Sequence, residues 1–236
     1  MITIRIRRFH AARKPSEVVQ EWAVEEGQTL LEALTFIKTQ KDPTLTFRSG
    51  CRSCVCGSCA VRVNGREVLA CAYKPKEGDL VEPLRFAPVI KDLVTDQNGG
   101  FDTLRRVKAW LEAPVADAVV TPEEEKRTEV QSDCILCHSC YSACPVFETL
   151  PLFAGPFALT RAWRYVADPR EGDAKSKIDA IQQNGVWDCT LCGECTAVCP
   201  QGIDPKSDIL MLRTKSTQMG HMDPTMGSFG SFGLDF

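Results

Sequence analysis

Thirteen cysteines, gathered in three short stretches, constrain this chain more than any other feature. The stretches span 51–71, 134–144 and 189–199 of the 236 residues. An odd number of cysteines cannot all pair as disulfides within one chain, so the sequence favours metal ligation. The net charge of -3 and the 25% of charged residues exclude a strongly basic, nucleic-acid-binding chain.

The first stretch has the C-x4-C-x2-C spacing of plant-type ferredoxins, with a further cysteine twelve residues later. Gly50 and Gly57 let the loop wrap closely around an inorganic core, with backbone N–H groups directed at the sulfurs. The spacing predicts a 2Fe-2S cluster, and a zinc site or reduced structural thiols are the alternatives. Its predicted ligands are Cys51, Cys56, Cys59 and Cys71.

The second and third stretches are complete C-x2-C-x2-C-x3-C-P runs and form an internal repeat. In two-cluster ferredoxins, three cysteines of a run hold one 4Fe-4S cluster and the fourth reaches the other cluster. Pro145 and Pro200 direct the chain away after that crossing ligand. Structural zinc is again the alternative. One predicted ligand set is Cys134, Cys137, Cys140 and Cys199, and the other is Cys144, Cys189, Cys192 and Cys195.

Three clusters with four thiolates each use twelve cysteines and leave Cys54. We expect Cys54 to be a shielded thiol rather than a substitute ligand or a redox sensor. His138 lies between two ligands, where it either donates a hydrogen bond near a cluster or is a solvated surface histidine.

The periodicity predicts an α+β chain. Strands are expected at 2–9, 18–25, 60–63, 67–70 and 80–82, with a tight Asn64-Gly65 hairpin. A helix at 29–41 is expected to begin with a Thr29–Glu32 capping box. Further helices are expected at 100–112, from 123, and at 158–166, 175–183 and 206–214. The predicted domains are 1–95, a linker with a helix at 96–122, a helical domain at 123–215, and a flexible or docking tail at 216–236.

No apolar run reaches the 18 to 20 residues that cross a bilayer, and the longest candidate, 150–160, carries two prolines. The first residues alternate like a strand rather than like a secretory signal. We therefore expect neither a membrane span nor an export signal of this chain's own.

Five segments together resemble the iron-sulfur subunit of the succinate dehydrogenase and fumarate reductase family. They are 48–52 with 56–60, the Asn64-Gly65 turn, 89–94 and 133–137, and the resemblance extends over residues 1 to about 215. It implies an N-terminal β-grasp 2Fe-2S domain and a C-terminal α-helical ferredoxin-like domain. It also implies an electron-transfer subunit without a substrate site, partnered by a flavoprotein whose FAD exchanges a hydride with succinate or fumarate.

Three positions depart from typical family members. Those members have an apolar residue in place of Cys192 and hold a 3Fe-4S cluster there, whereas a fourth thiolate favours 4Fe-4S; 3Fe-4S without Cys192 is the alternative. Thr190 and Thr149 replace the His and Trp of the family's quinone pocket. These departures resemble a branch in which a cysteine-rich, membrane-associated subunit with CCG motifs replaces the haem-bearing anchor.

The resemblance thus predicts a relay between FAD and a membrane-associated subunit, linked indirectly to the quinone pool. It places the complex peripherally on the inner membrane, at the cytoplasmic face, as an obligate hetero-oligomer; export on a partner's signal is the alternative. The alternative is the iron-sulfur subunit of another flavoenzyme, such as a thiol-driven fumarate reductase or a hydroxy-acid oxidase.

A zinc-stabilised interaction protein is the alternative from a different class. Nucleic acid is not an expected partner, because Arg5, Arg7 and Arg8 form no sustained basic stripe and are expected to face an acidic partner or water. The chain also lacks the motifs of an independent active site.

Overall fold

The alternation at the start of the chain forms an interior strand of a five-stranded sheet. The computed structural model describes residues 1–12 and 14–224. In β1 (Ile2–Phe9) the side chains of Ile2, Ile4 and Ile6 are buried, and β2 (Glu17–Val24) pairs with it antiparallel. The hydrophobic side of this pair begins the core of the N-terminal half.

The sheet gains three further strands, β3 (Ala60–Val63), β4 (Arg66–Leu69) and β5 (Leu80–Glu82), in the order β2-β1-β5-β3-β4. Only the β1–β5 pair is parallel among the pairings of this sheet in the described residues. Helix α1 (Leu30–Gln40) buries Leu30, Leu34 and Ile37 in the same core. This is a β-grasp arrangement, so the predicted α+β class is confirmed.

Local sequence signals set the turns and caps of this half. The Thr29 hydroxyl accepts from the backbone N–H of Glu32, and the Glu32 carboxylate accepts from the N–H of Thr29, so the predicted capping box is present. Asn64 and Gly65 both have positive φ, +49° and +84°, as a two-residue hairpin turn requires.

The burial of Arg8 corrects, for this residue, the expectation that the arginines of β1 face a partner or water. Arg8 forms ion pairs with Asp92 at 2.9 Å and Asp42 at 2.8 Å. Arg7 is partly exposed and lies 2.8 Å from Glu82. Arg5 is exposed, as expected, and donates to the carbonyl oxygen of Gly78. Carboxylates within the chain therefore pair with Arg7 and Arg8, whereas Arg5 faces water.

A small hairpin, eight α-helices and two short 3-10 helices, Pro145–Glu148 and Val186–Asp188, follow the sheet in the described residues. The hairpin, β6 (Val89–Lys91) with β7 (Val94–Thr95), has strands too short for periodicity to reveal. The helices are α2 (Asn98–Arg106), α3 (Pro122–Lys126), α4 (Glu129–Ser132), α5 (Ser139–Ala143), α6 (Pro156–Val166), α7 (Ala174–Ala180), α8 (Glu194–Ala197) and α9 (Pro205–Gln218).

Helix α2 ends six residues before the predicted end at 112. Beyond it, Lys108 adopts a left-handed φ of +54°. The backbone N–H groups of Glu112 and Ala113 then donate to the carboxylate of Glu171. Lys177 is fully buried, with its Nζ 2.9 Å from Glu171 Oε2, so a buried ion pair holds this segment in an extended form.

Helices α6 and α9 pack against each other around a buried carboxyl group. Asp208 is 3% exposed, and its Oδ1 accepts from Gln131 Nε2 at 2.8 Å. Burial raises the pKa of Asp208 to about 6. Helix α9 itself extends beyond the predicted end at 214, to Gln218.

The described chain clusters into two compact units that alternate along the sequence. The first comprises Met1–Phe101, Asp133–Cys144 and Glu194–Ile203; the second comprises Asp102–Ser132, Pro145–Gly193 and the chain from Asp204. The domain boundaries drawn from the sequence stay predictions, and the predicted tail lies outside the described residues from 225 onward. No helix in the described part of the chain is both long and apolar enough to cross a membrane.

Candidate metal centres

The loop after Gly50 directs backbone N–H groups at cysteine sulfur. Cys51 Sγ accepts from the N–H groups of Ser53, Val55 and Cys56, each at 3.3 Å. The N–H of Cys51 in turn donates to Cys56 Sγ at 3.4 Å. Converging donors of this kind stabilise thiolates and the negative charge of an iron-sulfur core.

Left-handed residues and glycines give this loop its curvature. Arg52 and Cys54 have φ values of +60° and +62°. A Cβ at Gly50 would lie 2.9 Å from Cys56 Sγ, so a side chain there would displace the sulfur. At Gly57, with φ +68°, a Cβ would lie 2.6 Å from Cys137 Cβ. Close approach to Cys56 and Cys137 therefore leaves no room for a side chain at either glycine, and the predicted approach to an inorganic core stays a prediction.

The predicted ligands of this loop differ in exposure. Cys51 and Cys56 are exposed, Cys71 is intermediate and Cys59 is buried. The Ser58 hydroxyl and the backbone N–H of Cys51 lower the pKa of Cys56 to about 6, whereas burial raises the pKa of Cys59 to about 11. One edge of the site is thus open to the surface, and the opposite edge rests on the sheet core.

The two C-x2-C-x2-C-x3-C-P runs share one backbone conformation. Leu136 and His138 have left-handed φ values of +51° and +64°, and the residues 55 positions later, Leu191 and Gly193, have +56° and +86°. Alternating left- and right-handed residues turn successive N–H groups inward, forming a concave anion site. The internal repeat read from the sequence is therefore repeated in the backbone.

Side-chain hydrogen bonds fix the first run to the sheet. The Ser142 hydroxyl, on α5, donates to the buried Glu67 carboxylate of β4 at 2.7 Å and accepts from the N–H of Arg85 at 2.9 Å. Arg62 balances Glu67 at 3.2 Å. Because α5 contains Cys140 and ends next to Cys144, these bonds fix the positions of both predicted ligands.

Cys140 lies among its predicted co-ligands. Burial, together with the charges of Cys137, Cys134, Cys195 and Cys199, raises the pKa of Cys140 well above its ordinary value; of these four, Cys195 belongs to the other predicted set. All four residues of this predicted set belong to the first compact unit. A metal core among these sulfurs would hold them as thiolates in spite of the burial.

The start of the second run is held by an arginine that the sequence analysis missed. Arg213 of α9 donates to the carbonyl oxygens of Val186, Trp187 and Cys189, at 3.0, 3.0 and 2.7 Å. Its guanidinium also lies over the Trp187 ring, 5.6 Å from the centroid. Nothing local marks this residue, since its partners lie more than twenty positions earlier. The N–H of Leu191 donates to Cys189 Sγ at 3.3 Å.

His138 is 8% exposed, so the surface alternative is wrong. Burial, aided by the charge of Arg48, lowers the pKa of His138 to about 4. His138, which lies between two predicted ligands, is therefore neutral at pH 7 and adds no positive charge near a cluster.

None of the thirteen cysteines forms a disulfide. Within residues 1–12 and 14–224, no three His, Cys, Asp or Glu side chains are placed to hold one metal ion. Cys54 Sγ lies 3.6 Å from Cys71 Sγ.

Comparison with known proteins agrees with this arrangement. Residues 3–102 match the 2Fe-2S iron-sulfur cluster binding domain, and residues 130–203 match the 4Fe-4S dicluster domain. The fumarate reductase iron-sulfur subunit of Mycobacterium tuberculosis is 42% identical over 214 residues, covering 85% of this chain and 83% of that protein. The chain belongs to the succinate dehydrogenase and fumarate reductase iron-sulfur subunit family.

Further members of this family extend the comparison. The fumarate reductase iron-sulfur subunit of Haemophilus influenzae is 38% identical, covering 82% of this chain and 84% of that protein. A chain of the Mycobacterium smegmatis Sdh1 complex superimposes with a TM-score of 0.83 at 24% identity, covering 94% of this chain and 98% of that one, which confirms the fold. The iron-sulfur domains of this subunit fit electron transfer, as the resemblance predicted, and neither match favours a zinc-stabilised protein.

Proposed function

We propose that this iron-sulfur subunit relays electrons between the FAD of a flavoprotein subunit and a membrane-associated subunit. The observation that carries this is the pair of cysteine runs with one repeated left-handed backbone, beside a loop whose N–H groups converge on sulfur. When bound, the clusters supply one-electron transfer. The chain's own residues hold them, shield them and set their potentials.

The proposed ligands are the twelve cysteines given by the spacing. Cys51, Cys56, Cys59 and Cys71 hold 2Fe-2S; Cys134, Cys137, Cys140 and Cys199 hold the first 4Fe-4S; Cys144, Cys189, Cys192 and Cys195 hold the second. The glycine approaches at Gly50 and Gly57 support the first set. The second set is supported by the fact that its four cysteines belong to one compact unit, where Cys134, Cys137 and Cys199 act on Cys140 together with Cys195 of the third set.

A complete cubane at the second run is supported by its backbone. Leu191 and Gly193 flank Cys192 with the same left-handed geometry that Leu136 and His138 give to Cys137. A run that folds like a four-thiolate run, and that carries the thiol, has what a 4Fe-4S cluster requires. A 3Fe-4S cluster would leave Cys192 as an unused thiol.

Thr190 and Thr149 bear on the membrane partner. These two positions hold threonine instead of the His and Trp that form the family's quinone pocket. The Thr149 hydroxyl donates to the carbonyl oxygen of Val146. This supports a separate subunit, cysteine-rich with CCG motifs, as the contact to the quinone pool. We place the complex peripherally on the inner membrane, at the cytoplasmic face.

One comparison favours a second candidate, the iron-sulfur subunit of a thiol-driven fumarate reductase. A subunit of the fumarate reductase (CoM/CoB) of Methanothermobacter marburgensis is 33% identical over 213 residues. This chain covers 43% of that longer protein. The two candidates share the cluster ligands proposed here and differ in the electron donor.

Low-temperature EPR of the purified, anaerobic complex tests the proposal. The oxidised sample should be silent, and reduction should develop one 2Fe-2S signal and interacting 4Fe-4S signals. An oxidised 3Fe-4S signal would show that Cys192 is not a ligand. Colourless protein without acid-labile sulfide would overturn the electron-transfer role altogether. Measuring fumarate reduction with quinol and with thiols as the electron donor then separates the two candidates.

A further inference from the structure

Cys54 is the one cysteine that the three proposed ligand sets leave over, and it stands in the first cluster loop. In contrast to the shielded thiol expected from the sequence, we propose that Cys54 is a reserve ligand of the 2Fe-2S cluster, able to take the place of Cys71. The proposal rests on the ligand set proposed above. It concerns a group of five thiols within 21 residues of sequence, where four complete the coordination.

The contact between the two sulfurs carries the argument. Cys54 Sγ lies 3.6 Å from Cys71 Sγ, in side-chain contact rather than turned away into the sheet. Two thiolates on one tetrahedral metal with bonds of about 2.3 Å stand about 3.8 Å apart. Cys54 Sγ therefore lies at the distance from Cys71 that a second thiolate on the same iron would take.

The backbone around each of the two cysteines explains why Cys71, rather than Cys54, is the regular ligand. Cys71 follows β4 closely, and the N–H groups of Ala72 and Tyr73 donate to the carbonyl oxygen of Leu69, so its turn is fixed. Cys54 lies on the surface loop, next to Val55, which is 66% exposed. Rotation of the Cys54 side chain, without movement of its backbone, can bring its sulfur toward the position of Cys71 Sγ.

The conformation of Cys54 also directs its side chain toward the site. Its φ of +62° lies in the left-handed region, which a non-glycine residue adopts at a cost. Gln201 Nε2 donates to its carbonyl oxygen at 3.0 Å and holds that conformation. With the backbone held so, the side chain contacts Cys71 and packs against the edge of the core.

Alanine variants in the intact complex test the exchange. The readouts are iron and acid-labile sulfide content and the EPR spectrum of the reduced 2Fe-2S cluster, with the 4Fe-4S signals as the internal measure of folding. Cys54→Ala should leave the content and g values unchanged. Cys71→Ala should retain about half or more of the 2Fe-2S cluster with shifted g values, and the double variant should lose the cluster. Cys51→Ala, the matched loss of a proposed ligand without a reserve, should lose it in either background.

Three results would overturn the reserve role: loss of the cluster in Cys71→Ala, equal retention in the double variant, or loss in Cys54→Ala. Should Cys71→Ala not accumulate, Cys71→Ser replaces it. Cys71→Ser should then show the visible spectrum of a cluster with four thiolate ligands, and replacing Cys54 as well should change it to that of an oxygen-ligated cluster. That change supports replacement of Cys71 by Cys54, and identical spectra of the two variants refute it. Absence of any 2Fe-2S signal in the wild-type complex would instead overturn the proposed function.

Discussion

Gly57 is the position where a single methyl group tests the packing of the first cluster loop. Gly57→Ala adds a Cβ 2.6 Å from Cys137 Cβ, 3.1 Å from Cys137 Cα and 3.2 Å from Ile135 Cγ1. A backbone atom cannot yield as a flexible side chain can. Overpacking of this kind costs about 1–3 kcal/mol, and a left-handed alanine adds about 1–2 kcal/mol. The expected destabilisation is therefore about 2–5 kcal/mol.

A matched control separates the two contributions. Gly65 also has positive φ, +84°, but its nearest neighbour would be Arg62 Nη2 at 3.6 Å, an ordinary contact. Gly65→Ala should thus show only the backbone cost of about 1–2 kcal/mol. The excess for Gly57→Ala, about 1–3 kcal/mol, corresponds to roughly 2–12 °C in midpoint for a chain of this size.

The assay follows cluster loss in the purified complex. Visible absorption is recorded during anaerobic heating, and EPR reports the content of each cluster beforehand. Gly57→Ala should bleach at lower temperature than Gly65→Ala and lose 2Fe-2S signal first, because Gly57 lies between two proposed ligands of that cluster, Cys56 and Cys59. Equal midpoints and equal signals for the two variants would refute the close contact between this loop and Cys137.

Three further perturbations address charge and burial. Arg213→Gln should lower the reduction potential of the second 4Fe-4S cluster by on the order of 50 mV in a redox titration, because it removes a positive charge. Arg213→Lys keeps the charge and should leave the potential unchanged, but it should lower the thermal midpoint. An unchanged potential in Arg213→Gln would contradict an electrostatic role of Arg213. Asp208 has a folded pKa above its unfolded value, so its ionisation removes stability as the pH rises from about 4 through about 6. In thermal unfolding, Asp208→Asn should then raise the free energy of unfolding at pH 7.5 by up to about 3 kcal/mol and leave it unchanged at pH 4; a lower free energy of unfolding at pH 7.5 would contradict the raised pKa. Lys177→Met leaves buried Glu171 without its cation and should cost about 3 kcal/mol in thermal unfolding, against less than about 1 kcal/mol for exposed Lys175→Met; equal costs would count against the buried pair.

Signals that act over a few residues were readable from the sequence. The Thr29–Glu32 capping box, the Asn64-Gly65 turn and the cysteine spacings each depend on neighbours in the chain, and the structure contains them. The repeated left-handed geometry at Leu136 and Leu191 follows from the same short motif. The proposed ligand set could therefore be named before any coordinates.

Features set by distant partners could not be read in this way. Helix α2 stops early because Glu171, some sixty residues on, binds the backbone at Glu112. His138 looked equally suited to the surface, and its burial depends on residues far away in sequence. Arg213 carries no motif, although it holds three carbonyl groups at the second run.

The alternation of the two compact units has a consequence for how the protein is made. The first unit takes its last piece, Glu194–Ile203, about one hundred residues after Phe101. At 5–20 residues per second, a ribosome needs roughly 5–20 s to supply that piece after the sheet has emerged. Four predicted ligands of one cluster are complete only when Cys199 has been synthesised. Nascent chains should therefore remain in a partly formed state, with unligated thiols, while these hundred or so residues are synthesised.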